Sequence, residues 1–187
     1  MTTLSSSGPT ATATAPQAAL PALHTAVLAT PAGPVALVVS PEDDVVRAAG
    51  FGPLDELLAR LHPRLLARGA VDGARRSSGA QALAAYAAGD VHALGAVTIE
   101  QPGGPFFCAV WTAMRAISPG ETLSYAALAA HVGSARAARA VGSACARNLV
   151  APFVPCHRVV RSGGALGGYV YGLSTKEKLL AHELRNR

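Results

Sequence analysis

The segment FVPCHRVV, residues 153–160, places a cysteine between a proline and a histidine. Three roles are open to Cys156: a buried structural thiol, a metal ligand or a nucleophile. A metal site needs three or four ligands at usable spacing. The chain has three cysteines, of which the nearest, Cys145, lies eleven residues upstream, and it has no CxxC pair. No metal site is therefore predicted.

The surroundings of Cys156 favour the nucleophile. A free cysteine usually behaves as a small buried hydrophobe, and such a thiol needs neither a histidine nor positive charge beside it. A base and positive potential lower the pKa of a thiol from about 8.5, so a lowered pKa is predicted. The arginines near Cys156 in the sequence are Arg136, Arg139, Arg147, Arg158 and Arg161. Together with the net charge of +5, this cluster also favours a nucleic acid partner.

The relation between Cys156 and its histidine neighbour depends on the local backbone. Neighbouring side chains of a strand point to opposite faces, so His157 could not contact Cys156 directly in a regular strand. Pro155 breaks the ladder of a strand. We therefore expect either a bend or a bridging water between the two side chains. A carboxylate should orient the imidazole, and the candidates downstream are Glu177 and Glu183.

Composition limits the class of protein. The 187 residues, half of them apolar, suffice for one core or for two small domains. The odd cysteine count favours a reducing compartment, and residues 1–20 are typical of a flexible tail rather than a signal peptide. No apolar run approaches the length of a membrane span. These features predict a cytoplasmic protein with no membrane association.

The first half of the chain predicts a small α/β domain over residues 21–103. Three β-branched runs with short turns between residues 24 and 51 predict an antiparallel meander. Leucines at helical spacing predict one helix over residues 53–69, and an Ala-rich segment predicts a second, capped by Ser78 and ended by Gly89. Residues 91–101 resemble a further strand, and the Pro102–Pro105 turn marks the domain boundary.

The second half, residues 104–187, predicts mostly helix. A helix over 106–117 is followed by one that Thr122 or Ser124 can cap and by another that Ser134 can cap, ending near Cys145. The glycine-containing turn between the last two indicates a helix-turn-helix. The second helix carries the sequence ARAARAVGSA, almost all small residues. Such a surface suits either tight packing against a neighbouring helix or close, sequence-independent contact with a nucleic acid groove.

The segments VPCHRVV, SYAALAAHVGSARAARAVGSACARN and GGALGGYVYGLSTKEKLLAHE together resemble the O6-alkylguanine-DNA alkyltransferases. The resemblance covers about residues 106–183 almost without gaps. It implies an α+β fold with a ribonuclease H-like sheet in the first half. It also implies single-turnover transfer of an alkyl group from O6-alkylguanine, and from O4-alkylthymine, in double-stranded DNA. No cofactor is implied, and a monomer is expected.

The resemblance assigns roles to residues. Cys156 would accept the alkyl group, His157 would act as base through a water, Glu183 would complete the relay and Asn148 would brace the turn. Tyr125 would donate to N3 of the flipped guanine, and Arg139 would fill the space left in the base stack. The remaining residues that would contact DNA are Arg136, Ala137, Ala138, Ala140 and Gly142. The pocket would be lined by Tyr125, Val159, Tyr169 and Val170.

Three positions depart from the family pattern, namely Leu149, Ala151 and Val170, where other members have proline, proline and serine. These changes bear on the width of the pocket. Three rival functions would each differ from this pattern: a helix-turn-helix regulator, a lesion-binding relative that cannot repair, and a cysteine hydrolase. A regulator would carry long polar side chains on its recognition helix, the non-repairing relatives have tryptophan in place of the cysteine, and a hydrolase would turn over.

Overall fold

A computed structural model describes residues 20–187, so the predicted tail over residues 1–20 lies almost wholly outside the described part. The first half forms one mixed sheet in the order β3-β2-β1-β4. Its strands are β1 (Leu23–Leu28), β2 (Val35–Ser40), β3 (Val45–Gly50) and β4 (Ala70–Asp72). The first three are antiparallel neighbours, which confirms the predicted meander, whereas β4 pairs parallel to β1. The sequence did not predict β4, whose three residues are exposed.

Two helical layers cover this sheet. Helices α1 (Leu54–Ala59) and α2 (Pro63–Leu66) replace the single helix predicted for residues 53–69, because the residue before a proline disfavours helical geometry. Helix α3 (Ser78–Ala87) lies against the other face and is capped by Ser77, whose hydroxyl accepts from the Ala80 amide at 3.2 Å. The predicted cap at Ser78 is therefore one residue too late.

Glycine at position 79 permits the close approach of α3 to the sheet. A Cβ placed on Gly79 would lie 2.7 Å from Cγ2 of Val46, which is shorter than any van der Waals contact. Leu37 and Val46 beneath it are fully buried. The close packing of α3 on the sheet thus requires a residue without a side chain at position 79.

The strand predicted for residues 91–101 does not form. Residues Ala93–Ala96 make a 3-10 helix, and a single parallel bridge joins Ile99 to Val46 of β3. The segment nevertheless buries Val91, Leu94 and Val97. Its apolar residues belong to the core, but their spacing does not specify an extended conformation.

The second half is mostly helical, as predicted. Its elements are α4 (Pro105–Arg115), β5 (Leu123–Ser124), α5 (Tyr125–His131), α6 (Ala138–Arg147), β6 (Val159–Val160) and α7 (Leu173–Asn186). Ser124 caps α5 by accepting from the Ala127 amide at 3.0 Å. Ser134 does not cap α6, because its carbonyl instead accepts from the Ala137 amide within the turn and α6 begins at Ala138.

The two halves share their interior. The main cluster of buried residues joins Leu37 and Leu83 of the first half to Val141 and Leu179 of the second. The Ala49 amide of β3 donates to the Leu149 carbonyl at 2.9 Å. The fold is α+β, as predicted, while the domain boundary near residue 103 stays a prediction. Within residues 20–187, the helices are all too short or too polar to cross a membrane.

Candidate active site

Cys156 begins a single 3-10 turn, Cys156–Arg158, that leads directly into β6. Pro155 before it has φ −82° and ψ 64°, so the chain bends here instead of continuing as a strand, which is one of the two alternatives expected from the sequence. Strand β6 pairs parallel with β5, and β5 runs directly into α5. This pairing brings the first residue of α5, Tyr125, to the same side of the molecule as Cys156.

Cys156 is buried, with 6% of the residue exposed, and its sulfur accepts a hydrogen bond from Asn148. The distance from Nδ2 of Asn148 to Sγ is 3.3 Å. The same amide nitrogen donates to the Val154 carbonyl at 2.8 Å, and Oδ1 accepts from the Val150 amide at 3.1 Å and from Gln101 at 3.2 Å. Asn148, directly after α6, is therefore fixed by four partners, and its donor points at the thiol.

Burial raises the pKa of the Cys156 thiol, and the hydrogen bond from Asn148 and the charges of Lys176 and Arg60 only partly offset this effect. The lowered pKa expected from the sequence is therefore wrong for the protein without substrate. The reason is that Sγ lies out of water, where the charged form is disfavoured. Cys156 thus rests as a thiol and requires a base at the moment of reaction.

His157 is fully buried, and its Nε2 lies 2.8 Å from Oε1 of Glu183. Burial lowers the pKa of the imidazole, although the hydrogen bond and charge of Glu183 act in the opposite direction. The ring is therefore neutral near pH 7, and a carboxylate only accepts, so Nε2 carries the proton. Nδ1 is then the unprotonated, basic nitrogen, and it has no hydrogen-bond partner within residues 20–187.

Of the two candidate carboxylates, Glu183 is the one that contacts His157, whereas Glu177 is exposed on α7. Besides His157, its oxygens accept from Arg158 Nε at 3.0 Å and Nη2 at 2.9 Å, from Tyr86 at 3.1 Å and from the Gly120 amide at 3.2 Å. Burial acts to raise the pKa of Glu183, but the bonds and charges of His157 and Arg158 outweigh it and lower that pKa. Glu183 therefore stays ionised.

The five arginines that lie near Cys156 in the sequence form two groups in the structure, one buried residue and four exposed ones. Arg158 is buried against Glu183, and its Nη1 donates to the Ile117 carbonyl at 2.5 Å. It is thus part of the interior and cannot meet a nucleic acid. Arg136, Arg139, Arg147 and Arg161 are exposed.

A cavity of about 310 Å³ opens beside Cys156. Its lining comprises Tyr125, Gly142, Cys145, Ala146, Cys156, Gly168, Tyr169 and Val170. Three of the four predicted pocket residues are present, but Val159 is buried in β6, and its carbonyl accepts from Lys176 at 2.6 Å instead. Burial raises the pKa of the Tyr125 phenol, so Tyr125 holds its proton and can donate it.

Two residues that shape the site were missed by sequence reasoning. Lys176 of α7 is fully buried, and its ammonium donates to the carbonyls of Val159 and Leu166, which ties the pocket loop to the helix. Tyr86 reaches Glu183 from the first half of the chain, 97 residues away. Neither carries a local sequence signal, because a lysine on a helix and a tyrosine in an Ala-rich segment are ordinary there.

The outer surface of α6 is made of small residues. Val141 and Ala144 face the core, while Ala137, Ala138, Ala140 and Gly142 are partly exposed. A Cβ placed on Gly142 would have no neighbour within 4 Å. The bare backbone at this position is therefore not required by packing inside the chain, and the surface can receive another molecule closely.

Known proteins match both halves of the chain. The family model "6-O-methylguanine DNA methyltransferase, DNA binding domain" covers residues 105–185. The methylated-DNA–protein-cysteine methyltransferase of Salmonella typhimurium is 38% identical over 159 residues, which are 83% of this chain and 92% of that protein. The chain belongs to the methylated-DNA–protein-cysteine methyltransferase family.

Other members of this methyltransferase family extend the comparison. The crystal structure of Mycobacterium tuberculosis OGT in complex with DNA superposes with a TM-score of 0.70 at 33% identity, covering 87% of this chain and 94% of that one. The bifunctional transcriptional activator/DNA repair enzyme Ada of Escherichia coli is 53% identical over 77 residues, which are 41% of this chain but 22% of that protein. The chain thus corresponds to a small part of Ada and to nearly all of the other two proteins.

Proposed function

We propose that the protein repairs DNA by moving the alkyl group of O6-alkylguanine onto Sγ of Cys156. The observation that carries this proposal is the position of Cys156, a buried thiol at the wall of a cavity of about 310 Å³ that also borders α6. The family membership and the DNA complex of the Mycobacterium tuberculosis relative support it.

In the proposed reaction the thiol of Cys156 loses its proton as its sulfur attacks the alkyl carbon. The S–C bond forms, the C–O6 bond breaks, and the electron pair of that bond restores the O6 carbonyl. His157 takes the thiol proton through a bridging water, since its basic nitrogen Nδ1 has no hydrogen-bond partner among residues 20–187 and Nε2 is held by Glu183. Asn148 stabilises the thiolate by donating to Sγ.

The leaving guanine must gain a proton, because it departs as the neutral base only when a ring nitrogen is protonated. Tyr125 lines the cavity with a phenol that stays protonated. We assign to it donation toward N3 of the guanine. The Tyr125 phenolate then regains its proton from the protonated His157 by way of solvent, so the net change is one proton from the thiol to the guanine and one alkyl group from O6 to sulfur.

The target base reaches the cavity by leaving the double helix, because a stacked base cannot meet a buried thiol. The small residues of α6 suit close contact with a minor groove, where sequence is poorly read. Arg139 is exposed at the second position of α6 and would fill the gap in the stack, and Arg136 in the preceding turn would contact the backbone. Repair in any sequence context is compatible with such a surface.

The product is a thioether, which water does not cleave as it would an ester. Each molecule would therefore react once. We further propose that the protein acts as a monomer in the cytoplasm. A helix-turn-helix regulator is disfavoured by the short side chains on α6, and a lesion-binding protein without activity is disfavoured by the cysteine at position 156.

The decisive test is incubation with duplex DNA that contains O6-methylguanine, followed by intact-mass and peptide mass measurement. We expect the mass of one methyl group, located on Cys156 and absent in Cys156→Ser. Cys145→Ser is the matched control, because Cys145 lines the same cavity, and it should react as the unmodified protein does. Repeated turnover, or a methyl group on Cys145, would contradict the proposal.

A further inference from the structure

The carboxylate oxygen that holds His157 is shared with a residue from the other half of the chain. Oε1 of Glu183 accepts from His157 at 2.8 Å, from Arg158 at 2.9 Å and from the hydroxyl of Tyr86 at 3.1 Å. Tyr86 belongs to α3, and both Tyr86 and Glu183 are fully buried. One oxygen with two lone pairs thus serves three donors.

The hydroxyl of Tyr86 is held in place as a donor. A carboxylate can only accept, and burial raises the pKa of this phenol far above its ordinary value. Its ring packs edge-on against His182 with centroids 4.9 Å apart, and Nε2 of His182 donates to the Tyr86 carbonyl at 2.6 Å. Ring and backbone are therefore both fixed, and the hydroxyl points at Oε1.

We propose that Tyr86 is a positioning residue of the repair reaction, which anchors Glu183 and limits how strongly Oε1 attracts the Nε2 proton of His157. This inference rests on the proposed function. Donors that share one oxygen compete for it, so each donor makes the oxygen a weaker acceptor for the others. With Tyr86 in place, Glu183 orients the imidazole without promoting the imidazolium, and Nδ1 remains a free base.

Several charged or polar groups surround His157 and Glu183 and also influence how the reaction depends on pH. Arg158 and the Gly120 amide bind Glu183 from two other segments, and Lys176 acts on His157 from α7. His182 touches Tyr86 but does not bond to Glu183. Tyr86 is the only one of these partners whose donor can be deleted by exchange for a residue of the same shape.

Tyr86→Phe tests the inference by removing the hydroxyl while keeping the ring against His182. Oε1 then binds His157 more strongly, which favours the protonated imidazole and raises the pKa of His157. The acidic limb of the pH–rate profile should move to higher pH by about half to one unit. Single-turnover methyl transfer should slow by about three- to tenfold at pH values below the midpoint of this limb and by less than about twofold at pH values above it.

Leu83→Val is the control for a purely structural effect, because Leu83 is fully buried on the same helix and has no polar partner. It should lower the midpoint of thermal unfolding and leave the pH–rate profile unchanged. If Tyr86→Phe gives the same unshifted profile as Leu83→Val, the inference is overturned and Tyr86 is only a packing residue.

Replacing Tyr86 by 3-fluorotyrosine keeps shape and hydroxyl but makes the phenol a stronger donor, so the limb should move to lower pH. If Tyr86→Phe does not fold, the direction in which this variant moves the acidic limb tests the positioning role of Tyr86 instead. The pKa of His157, followed by ¹⁵N shifts of its ring nitrogens and assigned with a His157 variant, must move in the same directions without any DNA present. Absence of methyl transfer by the unmodified protein would refute the proposed function, whereas the ¹⁵N measurement would still decide the role of Tyr86.

Discussion

Comparison of Asn148→Asp with Asn148→Ala is expected to show that the reactivity of Cys156 depends on the amide donor of Asn148. Asn148 uses its Oδ1 to hold the Val150 amide at 3.1 Å and its Nδ2 to donate to Sγ of Cys156 at 3.3 Å. Aspartate keeps the acceptor but places a carboxylate oxygen, which cannot donate, against both Sγ and the Val154 carbonyl. Alanine removes both the acceptor and the donor.

The magnitudes follow from these contacts. A negative charge about 4 Å from the thiolate costs about 4 kcal/mol at an effective dielectric constant of about 20, which corresponds to roughly a thousandfold slower reaction. Loss of the donor alone, in Asn148→Ala, costs about 1.5–3 kcal/mol, or roughly tenfold to a hundredfold. Alanine also leaves the buried Val150 amide unpaired, which lowers the free energy of unfolding by about 1–3 kcal/mol.

Both variants should be less stable than the unmodified protein, because aspartate buries a charge without a donor and alanine leaves the Val150 amide unpaired. Quenched single-turnover methyl transfer to Cys156, measured where urea unfolding shows each variant to be folded, should be slower in Asn148→Asp than in Asn148→Ala. Asn186→Asp, the same chemical change at an exposed position of α7, is the control and should match the unmodified protein in rate. A reaction of Asn148→Asp within tenfold of the unmodified protein would refute the role assigned to the amide.

Three further results are expected. Arg139→Ala should slow repair in duplex DNA by roughly tenfold to a hundredfold but hardly affect reaction with the free base O6-methylguanine. Arg75→Ala, which removes an exposed arginine of the first half, is the control and should react as the unmodified protein does. Equal losses of Arg139→Ala on both substrates would exclude a stack-filling role. Glu183→Gln should lower the free energy of unfolding by about 3–5 kcal/mol, because buried Arg158 loses its counterion, and a change below about 1 kcal/mol in urea unfolding would contradict this. The folded protein lowers the pKa of both His157 and Glu183, so the unfolded chain binds more protons as the pH falls. The free energy of unfolding should therefore have its full value above about pH 6.5 and decrease below it, first as His157 and then as Glu183 takes up a proton. A urea midpoint that does not change between pH 8 and pH 5 would count against the buried neutral imidazole.

The sequence predicts elements whose signal is local. The meander over β1 to β3 and the helices α4 and α5 follow from periodicity and caps. Strand β4 could not be predicted, because its three exposed residues gain their conformation from backbone pairing with β1. The apolar run at residues 91–101 was misread as a strand, since burial alone does not distinguish an extended from a 3-10 segment.

The candidate site shows the same limit. The pair of His157 and Glu183 was predicted from the family resemblance, and the structure brings the two together. The pKa of Cys156 was predicted with the wrong direction, because neighbours in sequence reveal charge but not loss of water. Arg158 was read as part of a DNA-facing cluster, yet its partner Glu183 lies 25 residues away and draws it inward. Such long-range pairing depends on the folded chain and leaves no mark in a short segment.

The hydrogen bond from Tyr86 to Glu183 joins two segments that an exposed loop, residues 102–104, connects in the chain. A chain cut in that loop would give one fragment with the whole reactive turn and another with the tyrosine that supports it. Mixing the fragments at pH 6 would couple reassembly to chemistry, since only the joined pair would have the unshifted relay. With methylated duplex DNA present, the thioether on Cys156 should accumulate faster in the mixture than in the reactive fragment alone, and the protein mass would keep a permanent record of that difference.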